Sequence, residues 1–97
     1  MDEIVFSAIQ LEWDEETRRT NREWYGFDFE QVRDMEVDDA AYFPHVAEGE
    51  DRCLILAPIG DKLFAVLVTP RPPNLKVLSL REANNREMDR YEQFWET

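Results

Sequence analysis

Three cations, Arg52, Lys76 and Arg81, lie within or beside three apolar runs of strand length at residues 53–57, 63–69 and 75–80. A cation in a sheet is costly unless it is solvated, paired with an acid or used to hold a phosphate, so these three are the first candidates for ligand chemistry. Ion pairing with the chain's many carboxylates is the competing use. His45 is the only histidine. Its protonation spans physiological pH, but it sits in what reads as an acidic loop and is expected to be simply solvated. Ser79 has no second histidine to activate it, which argues against serine-nucleophile hydrolysis. Cys53 is also alone, which forbids an internal disulfide and a two-cysteine zinc motif and points to a reducing cytoplasm. The acids around His45 lack the alternating ligand-and-glycine spacing of an EF-hand, so neither metal nor cofactor is expected.

The elements that must position these groups are signalled by caps and turns. A short strand is expected at 9–13, followed by a helix over 15–25 with Asp14 as N-cap, Glu15 and Glu16 in its first turn and Gly26 as its stop. The buried stripe of that helix would be Trp13, Thr17, Asn21 and Trp24, with Trp24 and Tyr25 packing as core or edge material. Asp28 and Gln31 spell a capping box for a second short helix, with Phe27 placed to staple to Val32 and the helix fading near Met35. Residues 36–51 read as an acidic connection with a short strand at 40–43. The three apolar runs then form an antiparallel meander, with a tight hairpin from Ile59 to Lys62 and a proline-rich turn at 70–74 that bars continuation of the ladder. Asn84 and Glu87 cap a last helix. Its stripe of Met88, Tyr91 and Trp95, joined by Phe94, is expected to be largely buried against Leu54, Leu56, Phe64, Val66 and Leu78. The fold class is therefore α+β, a small antiparallel sheet with two N-terminal helices and one C-terminal helix, in a single domain over residues 1–97.

Ninety-seven residues exclude a Rossmann enzyme, a barrel or a multidomain machine. Hydrophobic residues at 43% and aromatics at 12% suffice for a core. Twenty-two acids against eleven Lys and Arg give a net charge of −11, which argues against whole-protein attraction to phosphate backbones or anionic lipid. The imbalance is confined to residues 1–51, with four Arg against sixteen acids; residues 52–97 hold seven bases against six acids. Such asymmetry hints at two functional faces, although a solvated acidic surface needs no partner. The N-terminus lacks the basic flank and apolar stretch of a signal peptide, and no apolar run is long enough to span a bilayer. A cytoplasmic protein without a membrane association is expected.

These residues, in order, resemble the BrnT toxins of bacterial toxin–antitoxin modules, whose fold is related to the RelE and ParE group. Leu11, Glu12, Trp13 and Asp14 look like that family's opening Phe/Tyr-Glu-Trp-Asp. Asn21 follows at the right distance, and Gly26, Phe27, Asp28, Phe29 and Glu30 are similar to its Gly-Val-Ser-Phe-Glu. Arg52 takes the place of the arginine that begins a strand. Residues 75–83, LKVLSLREA, are similar to Ile-Arg-Ile-Ile-Ser-Ala-Arg-Lys-Ala, and Arg86, Glu87 and Tyr91 continue the pattern. The chain departs from the family where a Lys-His pair usually precedes the glycine matched by Gly26: Trp24 and Tyr25 stand there, and Lys76 stands for a strand arginine.

The resemblance implies an endoribonuclease that cuts messenger RNA without a metal and is silenced by a ribbon-helix-helix antitoxin. Such chemistry needs a base for the 2′-hydroxyl proton, a cation for the pentavalent phosphate and an acid for the leaving oxygen. The catalytic candidates it implies are Arg81, Lys76, Arg52 and Tyr25, the last in place of the histidine, with Arg86 and Arg90 as RNA-binding residues. A phenol, with an ordinary pKa of about 10, serves as that base only if nearby cations lower it. A second reading keeps the fold but not the chemistry. In it the acidic half, through Asp34, Glu36, Asp38 and Asp39, binds a basic nucleic-acid-binding protein and imitates nucleic acid, as phage-encoded inhibitors do. The motif match favours the toxin; the altered Lys-His site and the net charge favour the inhibitor.

Overall fold

The computed structural model describes residues 10–96. The chain runs β1 (Gln10–Glu12), α1 (Glu15–Tyr25), a 3-10 helix (Phe29–Asp34), a 3-10 turn (Val37–Asp39), β2 (Ala41–Ala47), β3 (Glu50–Ile59), β4 (Lys62–Arg71), β5 (Asn74–Glu82) and α2 (Asn85–Glu96). The five strands form one sheet in the order β1-β5-β4-β3-β2. The sheet is mixed and not purely antiparallel, because β1 lies parallel to β5, with Leu11 opposite Leu75 and Glu12 opposite Lys76. The expected strand at 9–13 corresponds to β1; Ile9 lies outside the described residues.

The first helix has the expected bounds, and Gly26 closes it in the left-handed conformation (φ 81°), a position that suits glycine because it has no Cβ. The second helix is 3-10, not α, and ends as expected at Met35; both bonds of the Asp28–Gln31 capping box are present. Between Glu36 and Asp51 the acidic connection proves to be more ordered than expected. Strand β2 extends to Ala47 and turns through Glu48 and Gly49, both left-handed, into β3. Pro44 is tolerated within β2 because this is an edge strand. His45 therefore lies on a strand, opposite Arg52, and not in a loop. The β4–β5 ladder also runs further than expected, through Pro70–Leu75 to Arg71–Asn74. The β3–β4 pairing stops at Cys53–Val68, so Pro70 sits where β4 no longer has a second neighbour and the missing N–H is tolerated.

Strand alternation divides the apolar residues between two faces. One face carries Ile55, Ala57, Phe64, Val66, Val68 and Val77, sealed by Phe29, Val32 and Met35 of the 3-10 segment. The other carries Leu56 and Ala65, with Leu54, Leu63, Phe43 and Tyr91 around them. Phe64 and Val66 thus face away from α2, contrary to expectation. The helix does not bury Met88 and Trp95 either: they are 42% and 49% exposed. Its inward residues are instead Glu87, buried, and Tyr91, half-buried, at i and i+4, while Phe94, 37% exposed, packs edge-on against Phe43. Glu87 is held by Arg81 of β5, and that ion pair sets the rotation of the helix.

Candidate functional site

Among the described residues β1 pairs only with Asn74, Leu75 and Lys76, and the outer edge of β5 beyond Lys76 has no strand neighbour. Asn21 of α1 takes that place. Its Nδ2 donates to the Leu80 carbonyl at 2.9 Å and its Oδ1 accepts from the Leu80 N–H at 3.0 Å, while Nδ2 also reaches the Phe27 carbonyl. A buried side-chain amide here reproduces a strand's donor and acceptor pair, satisfying two backbone groups that would otherwise be orphaned. A bulge at Leu78 turns Ser79 and Arg81 onto the α2 face of the sheet. The start of α1 is held by Lys76 to Asp14 at 3.3 Å, and its body by Arg18 to Asp28. Asp28 takes two guanidinium bonds from Arg18, one from Arg22 and the Glu30 N–H, which hold its carboxyl at about 2.

This arrangement leaves two open grooves, one along α1 and one at its C-terminal end. One, of about 690 Å³, lies between α1 and β5 and is lined by Asp14, Glu16, Thr17, Thr20 and Ser79. The other, of about 710 Å³, is lined by Phe27, Arg81, Glu82 and Asn84. Trp24 and Tyr25 border both. Neither ring packs as expected: Trp24 is 77% exposed and Tyr25 47%. Asn21, one turn before them, is the buried residue of the helix.

Arg81 is the one candidate cation in this pair of grooves. Glu87 takes its Nη1 and Nη2 at 2.7 and 2.9 Å, and Nη1 also donates to the Glu82 carbonyl. The Glu87 bonds raise the Arg81 pKa against the effect of burial, with the Glu87 charge and then Tyr25 adding to it, and Arg81 in turn lowers Glu87. A guanidinium has five N–H donors. The Nε–H and one Nη2–H, adjacent on its side edge, have no acceptor among the described residues, so a phosphate can be bound in a two-point fork while Glu87 keeps the end edge.

The other candidates are not gathered here. Lys76 lines neither groove and is tied to Asp14, at the edge of the first. Arg52 is two strands away, in ion pairs with Glu48 and Glu50. Arg81 is opposite Ala65, and Ala65 opposite Leu56, so Arg52 is also four residues along β3 from that row. Each of the three strand cations has a carboxylate partner, the competing use recognised at the outset. Arg86 is exposed on α2, whereas Arg90 stacks on Phe43, 3.9 Å from the ring centroid. Asp34, Glu36, Asp38 and Asp39 are exposed around the two 3-10 segments, where the Asp39 carbonyl receives the Tyr91 hydroxyl. Among the described residues no three His, Cys, Asp or Glu are grouped to hold a metal ion, and no helix is long and apolar enough to cross a membrane. Two residues of this region were given other parts by the sequence: Glu87, read as a cap and as part of the family pattern, and Trp24, read as packing.

The family model for the ribonuclease toxin BrnT of type II toxin–antitoxin systems matches residues 13–87, from the ring beside α1 to the carboxylate that holds Arg81. The chain belongs to the BrnT family. The crystal structure of the ribonuclease toxin BrnT of Brucella abortus superimposes with a TM-score of 0.65 at 28% identity, covering 80% of this chain and 100% of the Brucella one. No match is found among curated proteins. This BrnT-family chain is thus a toxin of a toxin–antitoxin system, with an antitoxin as partner. Family membership lends no support to the inhibitor reading. The BrnT relationship carries the mixed α+β fold with its five-stranded sheet.

Proposed function

We propose that this BrnT-family toxin is a cytoplasmic, metal-independent endoribonuclease acting on messenger RNA, with its reaction centre at Arg81 and Tyr25, and that its antitoxin is a ribbon-helix-helix protein. The observation that carries this reading is that Arg81, whose side edge has no acceptor among the described residues, lines one groove together with Tyr25. In the reaction the RNA 2′-oxygen attacks the adjacent phosphorus and the bond to the 5′-oxygen breaks, leaving a 2′,3′-cyclic phosphate and a 5′-hydroxyl. Arg81 stabilises the charge that grows on the non-bridging oxygens, and Glu87 keeps the guanidinium in place for it. The proton of the 2′-hydroxyl passes to water, and the Tyr25 hydroxyl donates a proton to the departing 5′-oxygen and regains one from solvent. Lys76, held at Asp14, and Arg86, exposed on α2, lie on the path of the flanking backbone. Arg52 and Arg90, each engaged elsewhere, are left with structural roles.

Induced expression is expected to slow bacterial growth with cleavage of RNA to cyclic-phosphate ends, undiminished by a metal chelator. Arg81→Ala should relieve both, and Arg81→Lys should fail to restore them because an ammonium lacks the fork. Intact RNA and normal growth at high levels of folded protein would overturn the proposal.

A further inference from the structure

The two grooves that Trp24 and Tyr25 divide differ in charge. The Arg81 groove suits a phosphate. The α1–β5 groove is lined by the carboxylates of Asp14 and Glu16 and by hydroxyls, and Lys76 pairs with Asp14 at its edge, which leaves Glu16 as its unengaged carboxylate acceptor. Glu16, Thr20 and Trp24 stand at i, i+4 and i+8 on one stripe of α1, which places them in line along the groove. By helical rise the first and last Cα atoms are about 12 Å apart, with Thr20 midway between them. Glu16 has no hydrogen bond or ion pair among the described residues, whereas Asp14 is engaged by Lys76. Trp24, 77% exposed, has no ring or cation stacked on it among the described residues. An indole left in water at the junction of two grooves is a ready surface for a π-face.

We propose that Trp24 and Tyr25 form a nucleobase platform on which a guanine of single-stranded RNA stacks, its Watson–Crick edge read by Glu16 and its phosphate held by Arg81. Guanine is the base of choice because its N1–H and N2–H point the same way and fit the two oxygens of one carboxylate. Adenine and cytosine present one amino donor next to an acceptor that the carboxylate repels, and uracil presents a single imide N–H between two carbonyls. The proposal rests on the ribonuclease reading for its substrate, but it is tested by binding alone.

The test titrates the full chain with guanosine, adenosine, cytidine and uridine 3′-monophosphates by calorimetry, and in parallel follows cleavage of RNA oligomers that differ at one base. Guanosine monophosphate should bind at least about tenfold tighter than the pyrimidine nucleotides, given typical base–aromatic stacking plus the paired hydrogen bonds. Trp24→Ala should weaken it about tenfold or more with the thermal unfolding midpoint unchanged, and Trp24→Phe should keep most of it. Glu16→Gln should erase the preference for guanosine over adenosine without weakening adenosine. Cleavage that ignores base identity and is untouched by Trp24→Ala would sink the platform and leave the ribonuclease standing. Guanosine binding with these variant effects but no cleavage would do the reverse. Absence of both would remove both.

Discussion

The 3-10 helix Phe29–Asp34 and the C-terminal helix α2 (Asn85–Glu96) lie on opposite faces of one sheet and are held there by different forces. The 3-10 helix is only six residues long, yet Phe29 and Val32 are fully buried and Met35 follows them into the core. Helix α2 is twice as long and richer in aromatics, yet the residue it buries most is Glu87. It is fastened by polar contacts: the Asn84–Glu87 cap, the Arg81–Glu87 fork and the Tyr91 hydroxyl on the Asp39 carbonyl. Length and hydrophobic content therefore do not rank these segments by their contribution to stability; burial does. Arg81, proposed as the phosphate ligand, is thus also part of the clamp of the less deeply packed helix.

The sharpest way to break this comparison is truncation on the 3-10 side. Phe29→Ala removes a fully buried ring that also packs edge-on against Trp13, and should cost about 3 to 5 kcal/mol in chemical denaturation. A loss under about 1 kcal/mol would mean that the core is elsewhere. Next in size is Asn21→Ala, which strips the Leu80 N–H and carbonyl of their partner and should cost about 2 to 3 kcal/mol. Hydrogen exchange at the Leu80 amide reports it directly: the variant should lose protection there first.

Asp28 supplies a smaller, pH-dependent effect. Its folded-state pKa of about 2 lies below the ordinary carboxylate value near 3.9, so it contributes stability above about pH 4 that is lost as the pH falls toward 2. With a quarter of the side chain exposed, the contribution is on the order of 1 to 2 kcal/mol. Asp28→Asn should therefore destabilise the protein at pH 7, and the gap from the parent should close between pH 4 and pH 2. A gap constant through that range would assign the loss to the cap bond rather than to the Arg18 pair.

What was legible in the sequence was local. Both capping boxes, the bounds of α1 and the Ile59–Lys62 hairpin depend on residues within three or four positions of each other, and all are present. The parallel pairing of β1 with β5 joins residues more than sixty positions apart through three residues, too short a segment to carry its own signal. Strand β2 was hidden by Pro44 and by a turn whose first residue, Glu48, is an uncommon left-handed non-glycine. Periodicity found a stripe on α2 but not its rotation, since 88–91–95 and 87–91–94 differ by one step and an ion pair with β5 decides between them. At the candidate site Arg81 and Tyr25 came from motif order. The bond from Asn21 to Leu80 joins residues fifty-nine positions apart and has no local signal.

The smallest expected effect tests the other half of the comparison. Trp95→Ala removes the largest ring on α2, and a helix-on-sheet core would lose several kcal/mol by it. In this fold the ring is half exposed and touches Tyr91 and Phe94 of its own helix, so the loss should stay within about 1 kcal/mol. Glu87→Gln is the matched control, because it leaves every ring in place and weakens only the fork to Arg81. It should loosen α2 more than Trp95→Ala does, read as faster amide exchange across Asn85–Glu96 with the sheet unaffected. If the ring mattered more than the carboxylate, α2 would be an apolar element after all, and the dual part assigned to Arg81, clamp and phosphate ligand, would lose its structural basis.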